Sequence, residues 1–179
     1  MSFTNEQIDK MMAFAEQSFP ENALPLPIKF DDLPKIFNAE MKTFLDKCPF
    51  EDAEEAEVMQ TLFLIKDFCQ IFETEEGKIF FNVFGDRTAI LGISDSKDDL
   101  FRLLTCIYTT PENKEEDTLS SIILAHFVKI LLPAVEFFDT EKFLRELTAS
   151  ITKIQDGVKF SIASDDKLIF VTAVAAKED

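Results

Sequence analysis

Apolar residues return along this chain in two rhythms, one at helical spacing and one alternating, and each rhythm predicts an element. Thr4 and Gln7 have the spacing of a capping box, after which Ile8, Met11, Met12, Ala15 and Phe19 recur every three or four positions until Pro20. The pattern predicts a first helix over residues 5 to 18. Residues 20 to 29 hold Pro20, Pro25 and Pro27 among apolar neighbours and are expected to run extended. A second helix is expected from Asp31 or Asp32, with Pro34 in its permitted first turn, carrying Leu33, Ile36, Phe37, Met41, Phe44 and Leu45 as far as Cys48-Pro49. A third starts in the acid run Glu51, Asp52, Glu54, Glu55 and Glu57, where carboxylates meet the positive end of the macrodipole. The run LFLIKDFCQIF, Leu62 to Phe72, reads as its enclosed continuation at the centre of the domain.

Two strand-like stretches follow, Lys78 to Phe84 and Thr88 to Ser94, with Gly85-Asp86-Arg87 between them, and they predict a hairpin. Ser94, Asp95 or Ser96 then reads as the cap of a helix with Leu100, Leu103, Leu104 and Ile107 on one face. Pro111 to Asp117 reads as a polar loop. The helix expected from Leu119 to Phe138 has only a narrow polar stripe of Ser121, Lys129 and Glu136, with Ala125 between, so it is either central or half-covered by a partner chain. Pro133 kinks or splits it. An amphipathic helix from Glu141 to about Ile154 is expected to end at Asp156-Gly157. A second hairpin then runs through Val158 to Ala163, a turn at Ser164-Asp165-Asp166-Lys167, and Leu168 to Val174. That last strand is apolar on both faces save Thr172 and is expected to be central. Each hairpin follows an acid-Gly junction, Glu76-Gly77 or Asp156-Gly157, with Phe80 or Phe160 three residues after the Gly, a likeness read as common local grammar and not as a repeat.

The fold class implied is α+β, with two β-hairpins forming a small, mainly antiparallel four-stranded sheet packed with five or six helices. A length of 179 residues fits one domain over 1–179, in which 1–50 is a helical N-terminal segment packed on the rest.

Composition changes this picture chiefly by exclusion. Asp and Glu number 34 against 18 Lys and Arg, a net charge of -16, which disfavours nucleic acid and anionic membrane as partners. A hydrophobic content of 46% with 20 Phe excludes a disordered acidic tail. Four glycines leave no phosphate-cradling loop, and the single His126, on an apolar helix face, removes every site that needs two. Cys48, Cys69 and Cys106 are odd in number and widely spaced, as free thiols of a reducing compartment are, and residues 1 to 19 lack the basic start and apolar run of a signal peptide. The expected location is the cytoplasm. No catalytic, cofactor-binding or metal-binding residue is predicted.

The function this leaves is that of a non-enzymatic acidic protein-binding protein, chaperone-, immunity- or adaptor-like, engaging a basic protein partner through an acid-rimmed apolar surface. The residues expected there are Glu54, Glu55, Glu57, Phe80, Phe84, Glu112, Glu115, Glu116 and Asp117. Two alternatives stand beside it. One is a small-molecule-binding protein or enzyme with a Phe-lined apolar pocket between the first hairpin and the helices at 60–72 and 119–138. The other is a homodimeric regulatory module that associates through the 119–138 helix.

Overall fold

The computed structural model describes residues 3–19, 22–67, 69–165 and 167–177, with the side chain of Glu115 outside that description. Pro20, Phe68 and Asp166, which the sequence places in a helix stop, a helix and a turn, lie outside the described residues. In chain order the elements are α1 (Asn5–Ser18), α2 (Leu33–Leu45), α3 (Ala53–Phe63), β1 (Gln70–Glu73), β2 (Lys78–Phe84), β3 (Thr88–Ser94) and β4 (Phe101–Thr109). They continue with α4 (Lys114–Leu131), α5 (Asp139–Ser150), β5 (Thr152–Gln155), β6 (Val158–Asp165) and β7 (Leu168–Ala175). The strands form one antiparallel sheet in the order β1-β2-β3-β4-β7-β6-β5.

The protein is α+β, but the expected four-stranded sheet is corrected to seven strands, with five α-helices among the described residues. Three runs read as helix are strands, each for a separate reason. In the first, α3 stops at Phe63 and the Asn38 side chain takes both backbone groups of Ile65: Oδ1 accepts from its N–H at 2.8 Å and Nδ2 donates to its carbonyl at 2.9 Å. Asn82 Oδ1 accepts from the Lys66 N–H at 3.3 Å. Distant amides thus hold the chain extended through Lys66, ahead of β1, against its local helical preference.

In the second, the acids before β4 close turns instead of capping a helix. Asp95 accepts from the Lys97 N–H and Asp98 from the Leu100 N–H, while Asp99 sits at φ 56°. β4 then sends Phe101, Leu104 and Cys106 to one face of the sheet and Leu103 and Ile107 to the other. Both sides are buried, so helical and strand periodicities look alike in this segment. A bulge leaves Arg102 between the pairs Ile93–Leu103 and Ser94–Phe101, and its buried guanidinium reaches Asp98 at 2.8 Å and Asp95 at 3.6 Å. Opposite, Gly92 has no room for a side chain, since a Cβ there would meet the Phe101 ring at 2.5 Å.

In the third, α5 ends at Ser150, and Asp156-Gly157, with φ of 48° and 76°, is the two-residue turn between β5 and β6. Two successive positive φ values give the primed turn that suits strand twist, for which Asp-Gly is a favoured pair. The likeness between the two hairpins survives as two meanders, β1-β2-β3 and β5-β6-β7, each led by a four-residue edge strand. They flank β4 in mirrored order with β2 and β6 running the same way and Phe80 and Phe160 on the same side, a combination that no two-fold rotation reproduces.

The helices divide unequally over the sheet. Those from α2 to α5 cover the face of Phe80, Phe84, Leu104, Phe160 and Val171, whereas α1 alone covers the face of Phe81, Leu91, Leu103, Ile107 and Phe170, with Phe14 stacked on Phe170 at 4.0 Å. The chain crosses between faces along Leu26 to Phe30, as the expected extended segment. It bonds to the start of β4 through Leu26 N–H to Phe101 O, Phe101 N–H to Ile28 O and Phe30 N–H to Asp99 O. β7 begins to pair with β4 only at Leu104, so this segment occupies the place a neighbouring strand leaves open.

Candidate functional site

A hollow on the thickly covered face is set by how α4 ends. Pro133 cannot continue the helix, and the chain turns through Leu132 and Val135, with Lys129 Nζ donating to the Pro133 carbonyl at 2.6 Å. Phe137 then points inward against Phe44 and His126, at centroid distances of 4.9 and 5.0 Å, while its neighbour Phe138 is 89% exposed. The Thr140 hydroxyl donates to the Phe137 carbonyl and fixes the start of α5. Between α4 and α5 this leaves an open cleft of about 850 Å³.

Its floor is Tyr108, Ile162 and Val171 from β4, β6 and β7, and its walls include Ser121, Ile122 and Ala125 of α4 and Leu144 and Thr148 of α5. Of the stripe legible on the long helix, Ser121 and Ala125 line the cleft, while Lys129 and Glu136 do not. Asp117 and Glu141 stand among its lining, with Arg145 paired to Glu141 at 3.5 Å. The Tyr108 phenol is pushed up to about 12, by burial first and then by Cys106 and Asp117, so it stays a neutral hydrogen-bond donor. Thr118 and Thr148 donate to their own helix carbonyls at 2.8 Å, which leaves their oxygens only as acceptors. Among the described residues the lining contains no His, Cys or Lys. The lining is mainly apolar, with the Tyr108 phenol, Asp117, Glu141 and Arg145 among its polar groups.

Of the described residues expected from sequence to bind a partner, Asp117 alone lines this cleft. Phe80 and Phe84 are 1% and 0% exposed and pack against Phe30 and Phe37, so neither offers surface to a partner. The same rings fill the place where a Phe-lined pocket was expected. Glu54 and Glu57 are exposed on α3, while Glu55 accepts from the Glu51 N–H and its own N–H is capped by Asp52. Glu112 and Glu116 pair with Arg87 at 3.7 and 3.0 Å, and Asn113 accepts from the Glu116 N–H at the start of α4, where a loop was expected. The Glu115 side chain lies outside the described residues. The apolar circumference of the long helix is enclosed within the chain, with Ile123, Phe127 and Val128 all at 0% exposure.

His126 is buried, donates from Nδ1 to the Ile122 carbonyl at 2.8 Å, and is pushed below the ordinary imidazole range by its burial. Burial likewise pushes the thiols of Cys106 and Cys69 up. A second hollow of about 670 Å³ lies by the end of α1, with Phe19, Glu16, Glu75, Glu76 and Asp95 in its lining. Among the described residues there is no group of three or more His, Cys, Asp or Glu placed to hold a metal ion, and no helix is long and apolar enough to cross a membrane. No protein family, curated protein or solved structure matches this chain.

Proposed function

We propose that this is a non-enzymatic protein-binding protein, of chaperone, immunity or adaptor type, that holds a basic partner at the cleft between α4 and α5. The observation that carries the reading is the open apolar cleft itself, walled by two helices and marked at its mouth by a phenyl ring 89% exposed. Apolar surface left open by a chain with so full a core is a partner site in waiting. The net charge of -16 adds long-range attraction for a basic partner, and Asp117 brings that preference to the cleft, where Glu141 is paired with Arg145.

A photo-crosslinking residue in place of Phe138 tests it in lysate of the native cell. A protein adduct that disappears in the cleft-filling variant Ala125→Trp is the expected result. Absence of any protein adduct, or one indifferent to Ala125→Trp, overturns it. The cleft volume also lies within the range of small-molecule sites, which favours a ligand-binding reading second. Native mass spectrometry showing a co-purified small molecule lost in Ala125→Trp would move that reading to first place.

A further inference from the structure

We infer that the occupant of the cleft is a basic amphipathic helix of the partner, an inference that rests on the protein-binding reading above. The floor decides between helix and strand. Tyr108 and Ile162, the half-buried residues of the floor above the buried Val171, belong to strands already paired at these positions, through Tyr108 with Ile169 and Ile162 with Val171. The floor therefore presents side chains and no free backbone groups. An extended segment laid on it would bury its own N–H and C=O groups without partners, whereas a helix satisfies them internally. The floor and the α4 and α5 walls accept apolar residues repeating at helical spacing, and Phe138 at the mouth supplies one more ring to close over them. Lys or Arg on the α4-facing flank of such a helix would meet Asp117, whereas on the α5 wall Glu141 is already paired with Arg145.

The test uses fluorescein-labelled Leu/Lys peptides of about 18 residues, long enough for five turns, in an amphipathic order and in a scrambled order of the same charge. Binding to the full chain is read by anisotropy at about 0.5 M salt, where long-range attraction is screened. The amphipathic peptide is expected to bind about tenfold or more tighter than the scrambled one, and to lose about that factor in Phe138→Asp. Phe138 is exposed, so this variant keeps its fold even where Ala125→Trp disturbs the wall. The paired reversal Glu54→Lys and Glu57→Lys, on α3, is expected to leave the affinity nearly unchanged. Equal binding of the two peptides, or an unaltered affinity in Phe138→Asp, overturns the inference. A protein adduct at position 138 with no preference for the amphipathic peptide sinks the helix and leaves the protein-binding reading standing. Absence of the adduct sinks both.

Discussion

The two faces of the sheet solve the same burial problem with different amounts of helix. On one, α1 alone lies over β2, β3, β4 and β7, and the sheet itself becomes polar or small beyond it, through Lys159, Ser161 and Ala163 of β6. On the other, α2 to α5 share the surface and the core is continuous from Leu26 to Ala173. A face covered by one helix can be trimmed by changing strand residues, because there is nothing to space. Where several helices share a face, their separation is fixed by their connections, and the α4–α5 connection leaves the cleft. The hollow with the better claim to function thus lies on the more heavily covered side.

The largest expected effect sharpens this contrast. Phe37→Ala, in the core of the thick face, is expected to cost about 3–5 kcal/mol in denaturant unfolding, and Met11→Ala under α1 about 2 kcal/mol, at the low end for such truncations. Equal costs would mean that α1 is as deeply integrated as the other helices, and the contrast would fall. Next comes the buried pair Thr105–Thr172, whose hydroxyls lie 3.2 Å apart between β4 and β7. Each single Thr→Val change is expected to cost about 1–3 kcal/mol and the double change much less than the sum, because only the singles strand a hydroxyl. Smaller still is the α1 capping box, in which Thr4 accepts from Gln7 N–H and the Thr4 N–H is bonded by the Gln7 side chain. Thr4→Ala is expected to cost about 1 kcal/mol, read as earlier loss of α1 in hydrogen exchange with the thick face still protected.

The smallest effect near neutral pH belongs to His126. Its pKa is held below the ordinary 6.5 by burial, the Ile122 carbonyl and Glu40 opposing weakly, so the unfolded chain binds the proton more readily than the folded one. Its contribution to stability is full above 6.5 and is lost as pH falls from there through the folded value. His126→Leu is expected to flatten that part of the stability–pH curve, and an unchanged slope would contradict the burial of the ring.

α1 was legible because a capping box, a helical stripe and a Pro stand in order, and both hairpins because alternation meets turn residues on each side. The three overlooked strands were hidden by different physics. β4 is buried on both faces, which erases alternation, although Thr105, Ile107 and Tyr108 favour a strand. Its preceding acids make side-chain turns that resemble caps. Asp156-Gly157 was itself a hairpin signal, obscured by the apolar rhythm running on through Ile151 and Ile154. β1 depends on Asn38 and Asn82, whose grip on a distant backbone has no local trace. Of the cleft, the sequence carried the Ser121 and Ala125 stripe and Asp117, while the α5 wall and the β6–β7 floor come from the fold.

Every neighbouring strand pair but one is joined by a local turn; the exception is β4 with β7, whose Thr105 and Thr172 are 67 residues apart along the chain. Loop closure makes such a seam slow to form relative to the meanders on either side. During synthesis β4 leaves the ribosome with its edge open and must wait for α4, α5 and the whole second meander before its partner exists. The centre of the finished sheet is, in time, its last and most exposed edge, and the step at which this chain is most open to mispairing with another copy of itself.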